Sequence, residues 1–60
     1  MKFAAFPDER NPGDWCVEAR NGDGDFLVCF FVGLLAKERA EEYAAWQNDR
    51  HAASAARFNN

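Results

Sequence analysis

Two cysteines, one histidine, one serine and one tyrosine are nearly all that this chain offers for metal ligation or nucleophilic catalysis, and their spacing assembles none of the usual devices. Cys16 and Cys29 stand thirteen positions apart and His51 lies far beyond them, which is not a zinc-ligand spacing. His51 and Ser54 are one helical turn apart, with nothing in the sequence to supply a base or an oxyanion hole. Gly33 stands alone where a phosphate loop would need several glycines. Asn21-Gly22-Asp23-Gly24-Asp25 alternates oxygen side chains as a calcium loop does. An EF-hand loop starting at Asn21 would need glycine at its sixth position and a carboxylate at its twelfth, where this chain has Phe26 and Val32. The expectation is a protein with no catalytic residue, metal or cofactor, and therefore not an enzyme.

Two groups of residues are suited to binding rather than reaction. The first is acidic: Asp8, Glu9, Asp14, Asp23 and Asp25 lie in the N-terminal part, where residues 1–25 carry six carboxylates against Lys2, Arg10 and Arg20. Residues 26–60 balance at four charges of each sign. Such a field disfavours a phosphate backbone and favours a basic protein surface. The second group is Arg39, Trp46, Arg50 and Arg57, which share one flank of a helix, and Trp with Arg is the composition of a binding hot spot. Trp46 over a sheet edge, with the arginines paired to Glu38 and Glu42, would be the purely structural use of that flank.

The elements that must carry these residues follow from pattern. Trp15–Arg20 alternates, Asn21–Gly24 is a turn, and Asp25–Val32 is apolar, so the segment reads as a β-hairpin. A two-residue turn at Gly22-Asp23 or a four-residue loop gives one register, which opposes Ala19 to Phe26, Val17 to Val28, Trp15 to Phe30 and Arg20 to Asp25. The same register opposes Cys16 to Cys29. A cross-strand disulfide is possible there, and the absence of an export signal favours two reduced, buried thiols. The second strand is apolar on both faces, as is a central strand or one whose second face something else covers, with Lys2–Phe6 as its candidate other neighbour and residues 7–14 as a surface loop.

From Ala36 to Arg57 the residues are strong helix formers. Ala36, Ala40, Tyr43 and Ala44 share a face, opposite Glu38, Glu42 and Asp49. That face should pack on Trp15, Val17, Phe26, Val28 and Phe30, and beyond Gln47 its apolar stripe decays, so residues 48–60 form a distal helix and tail that fray or meet a partner. The fold class is α+β: a β-hairpin, extended to a three-stranded antiparallel sheet if the N-terminal strand joins it, packed on one long C-terminal helix.

Sixty residues of net charge −3 make one small acidic domain, spanning residues 1–60. Nine aromatics and a hydrophobic share of 48% place it among folding chains, despite a mean hydropathy of −0.51. No apolar run approaches the ~20 residues needed to span a bilayer, and no export signal is evident, so a cytoplasmic location is expected. The absence of Ile and Thr and the abundance of Ala, Arg, Asp and Gly suggest a GC-rich genome, that of a bacterium or its phage.

In size, acidity and architecture, with an acidic hairpin from Asp14-Trp15 to Val32 followed by an Ala-Glu-Arg helix, the chain resembles the accessory proteins of phages and mobile elements, among them the anti-CRISPR inhibitors. The resemblance implies a non-enzymatic protein that occupies a surface of a larger nucleic-acid-handling complex. A structural homodimer is the alternative, and a nucleic-acid binder using Arg39, Arg50 and Arg57 runs against the net charge.

Overall fold

Gly22-Asp23 forms the two-residue hairpin turn, with Asn21 pairing Gly24 and the Asn21 side chain accepting the Asp23 N–H at 2.7 Å. Gly24 sits at φ 139°, open to glycine and strained for any other residue. The turn joins β2 (Trp15–Asn21) to β3 (Gly24–Phe31), after β1 (Lys2–Pro7) and before α1 (Ala36–Phe58). The chain thus forms a three-stranded antiparallel sheet followed by one C-terminal helix packed on it, an α+β fold. The computed structural model describes the backbone of residues 1–58 and the side chains of residues 1–52.

The strand order is β1-β2-β3. β2 is therefore central, and the expectation that β3 would be central with β1 beside it is corrected. β3 is an edge strand despite its apolar residues on both faces, because β1 pairs along β2 from Lys2–Arg20 to Pro7–Trp15.

The expected hairpin register holds only near the turn. Arg20 opposes Asp25 and Ala19 opposes Phe26, but a β-bulge then places Val28 as an extra residue, and the pairs become Val17–Cys29, Cys16–Phe30 and Trp15–Phe31. One inserted residue exchanges the faces of everything beyond it. Val17 does not oppose Val28, Trp15 does not oppose Phe30, and Cys16 does not oppose Cys29. Cys29 and Phe31 turn toward the helix in place of Val28 and Phe30. Phe30 is 53% exposed and Val28 38% exposed, so neither belongs to the core assigned to them from alternation. Phe26 shares a row with Phe3 and Ala19 but remains half exposed.

Phe3, Val17 and Ala19 pack on Ala40 and Ala44, with Ala5, Trp15, Cys29, Phe31 and Tyr43 around them. Helix alanines at this interface let α1 approach the sheet closely, and it lies nearest β1 and farthest from β3. The helix also engages the sheet beyond Gln47, where the apolar stripe ends. The Asn48 side chain accepts the Phe3 N–H at 2.8 Å and donates to the Phe3 carbonyl at 2.9 Å, and the His51 ring lies 5.1 Å from that of Phe3. Asn48 therefore satisfies the two backbone groups that Phe3 turns away from β2. At the helix entry, Arg39 N–H donates to the Leu35 carbonyl, and Leu35 itself is held at φ 65°, a left-handed conformation costly for leucine.

Two stability outcomes follow. Asn48→Ala leaves both Phe3 groups without their partner and should cost about 1–3 kcal/mol in denaturant unfolding. Val17→Ala, at a fully buried site, should cost several times as much as Phe30→Ala, whose effect should stay near ~0.5 kcal/mol because its ring is half in solvent. Equal losses at the two positions would contradict the bulged register.

Candidate interaction surface

The bulge and the sheet pairing together expose a row of side chains on the face of the sheet opposite the helix. Phe6, Cys16 and Phe30 form one row there and Ala4, Glu18 and Leu27 the next. The β1–β2 connection folds beside them and is held by its own hydrogen bonds. Asp8 N–H donates to the Asp14 carbonyl, while the Asp8 carboxylate accepts the Arg10 N–H and the Asn11 amide. Those bonds, the Arg10 backbone N–H foremost, hold the Asp8 carboxyl below its ordinary range, so it stays charged. The result is a shallow groove of about 460 Å³ whose floor is Phe6, Cys16, Leu27 and Phe30 and whose rim carries Asp8, Glu9 and Glu18 with Arg10 and Arg20.

Arg20 is partly spoken for. Its guanidinium lies 4.4 Å above the Phe6 ring, 3.6 Å from the Asp25 carboxylate and 3.8 Å from that of Glu18. These pairs are exposed and contribute little stability, but they hold a flat cation over an aromatic at one end of the groove. Among the acidic residues expected to bind, Asp8 and Glu9 thus meet in the groove and Asp25 stands beside Arg20. Asp23 lies apart at the hairpin turn. Asp14 accepts the Gly33 N–H at 3.4 Å and so ties the β1–β2 connection to the one between β3 and α1.

The helix flank forms a second surface. Arg50 lies 4.8 Å above the Trp46 ring, Tyr43 lies 5.9 Å from it, and Arg39, Glu42 and Phe31 complete a small open hollow beside the β3 edge. Trp46 is 52% exposed. The side chain of Arg57 lies outside the described residues. Glu18, Arg20, Leu27 and Phe30 were not singled out as binding residues from sequence. The bulge that turns Phe30 outward has no sequence signature, whereas Leu27 faces outward by simple alternation and Arg20 follows from its pairing with Asp25.

Among the described residues no three of His, Cys, Asp and Glu gather as a metal site would require. Among the described residues no helix is long and apolar enough to cross a membrane. Comparison of the chain with protein families, curated proteins and solved structures finds no match.

Both thiols are free, Cys16 facing the groove and Cys29 the helix. Burial pushes each above its ordinary value of 9.0, and for Cys16 the carboxylates of Glu18 and Asp8 add to the effect. Both should react slowly with a maleimide at neutral pH and form no bridge on mild oxidation of the folded chain. A raised folded pKa means that the stability they contribute is whole below 9.0 and is lost as pH climbs through the folded values. Thermal melting should therefore fall above that pH, and fall less steeply in Cys16→Ala.

Proposed function

We propose that this chain is a non-enzymatic protein-interaction module whose outer sheet groove receives a basic segment of a larger protein. On this reading it acts as an inhibitor of the phage or mobile-element kind, by occupying a surface that a nucleic-acid-handling complex uses. One observation carries the reading: Leu27 and Phe30, each more than half exposed, lie within a rim where Asp8, Glu9 and Glu18 outnumber Arg10 and Arg20. A lysine or arginine has a matching division, an aliphatic stem that covers apolar surface and a charged head that reaches carboxylates. Rim charge of this kind speeds encounter with a basic partner more than it tightens the final complex, whose affinity would come from covering Phe30 and Leu27.

The test begins with capture of partners from the native host on the immobilised chain, followed by kinetics on the purified partner. The Glu9→Lys/Glu18→Lys double variant should slow association about tenfold or more, leave dissociation nearly unchanged and reduce the salt dependence. Trp46→Ala serves as the contrasting variant. A partner that ignores the charge reversal but dissociates faster from Trp46→Ala would assign recognition to the helix flank and refute the groove.

A further inference from the structure

A three-stranded sheet has two edges, and this one treats them differently. Along β1 the Asn48 amide occupies the outward N–H and C=O of Phe3, α1 lies closest to this strand, and Pro7 closes it. Among the described residues β3 has no strand beside it on its outer side, and it carries no lysine, proline or charged residue from Phe26 through Phe31, nor at Val32. Such an edge is a template for another strand. Because Phe3 directs its N–H and C=O away from β2, alternation directs those of Ala19 and Val17 toward β3. From Phe26 through Phe31, the groups of Leu27 and Phe30 are then the ones that point outward from β3.

We propose that β3 pairs antiparallel with β3 of a second copy, joining two sheets into one of six strands with both helices on the same face. The bulge fixes the register. Val28 and Cys29 lie between the two outward-facing residues, so a two-fold axis between them sets Leu27 of one copy against Phe30 of the other, twice, with the two bulges opposed. The same register sets the half-exposed Phe26 against Phe31 of the second copy, beside the Tyr43–Trp46 hollow.

A second copy suits this edge for three reasons. The apolar run bears no charge, so apposing it to itself brings no like charges together. Antiparallel pairing sets the acidic turn of Asp23 and Asp25 near an end of mixed charge, where Asp14 and Glu38 stand with Lys37 and Arg39. Apolar surface also awaits cover along this strand, where Phe26, Leu27 and Phe30 are each more than half exposed. Finally, with Asn48 occupying the groups of Phe3, α1 beside β1 and Pro7 at its end, the β1 edge disfavours further pairing, so assembly stops at two copies rather than continuing as a filament.

The test uses the purified full chain alone, so its outcome is independent of what the outer groove binds. Sedimentation equilibrium from micromolar to millimolar concentration should give twice 6.8 kDa at the upper end. Leu27→Lys/Phe30→Lys places like charges opposite one another at both contacts and should weaken association at least tenfold, whereas Leu27→Glu/Phe30→Lys places opposite charges there and should restore it. Both positions are exposed, and unchanged far-UV circular dichroism would verify the folds. Amide exchange at Leu27 and Phe30 should slow as concentration rises. A monomer of 6.8 kDa throughout, or a dimer that the double-lysine variant leaves intact, would overturn the proposal. So would failure of the Glu/Lys pair to restore association.

Discussion

The extra residue at Val28 decides what the rest of this molecule can be. With uninterrupted alternation β3 would send Phe26, Val28 and Phe30 to the helix and leave Leu27, Cys29 and Phe31 outside. The bulge keeps Phe26 on the helix face, sends Cys29 and Phe31 there in place of Val28 and Phe30, and turns Phe30 to the same side as Leu27. Phe31 can then reach Tyr43, 5.8 Å away between ring centroids, while Phe30 joins Phe6 and Cys16 on the opposite face. A single local departure from regular pairing thus builds both the aromatic end of the core and the apolar floor of the groove. It costs one ladder step and is offset by the burial of Cys29 and Phe31 against a helix face made largely of alanine.

The position of that helix follows from a second, polar constraint. A side-chain amide carries an NH2 donor group and a carbonyl acceptor in nearly the spacing of a backbone peptide, so Asn48 can stand in for a missing neighbouring strand at Phe3. By drawing α1 toward β1, this pairing leaves β3 less covered, which is why Phe26 remains half exposed although it shares a row with two buried residues. Protection of one edge and exposure of the other are consequences of one placement.

The sequence was legible where local chemistry and pattern agree. Asn21 to Gly24 announces the turn, Ala19–Phe26 and Arg20–Asp25 follow from it, and the Ala-Glu-Arg composition marks the helix. Pattern failed at Val28 because a bulge of this kind requires no special residue: Val28 is as good a strand former as its neighbours. It failed again in the order of strands, since an apolar run on both faces indicates a buried centre only when the chain has enough other residues to cover it. Asn48 could not be found by periodicity because its partner is 45 residues away and is backbone, which has no residue type to read. The acidic residues were visible as a composition bias, but their division into groove, turn and tether depends on hydrogen bonds at Asp8 and Asp14 that the sequence shows only as a polar loop.

The surface left open is also a consequence of size. Among the described residues Val17 is the only large side chain with almost no exposure, and Ala36, Ala40 and Ala44 fill the helix side of the core, so the layer between sheet and helix is thin. A thin layer has room for few aromatic rings, and the apolar side chains of β3 that do not fit remain in water. Leu34 and Leu35 extend that surface into the helix entry, where Leu35 holds a left-handed backbone that glycine or asparagine would adopt at lower cost. An exposed leucine in a strained conformation contributes nothing to the isolated fold that a smaller residue would not. On this view the marginal stability of the monomer and its capacity to associate arise from the same apolar residues. On the proposed reading, substitutions that make β3 and the helix entry more polar would remove the surface for association while leaving the core of Val17, Ala40 and Ala44 in place.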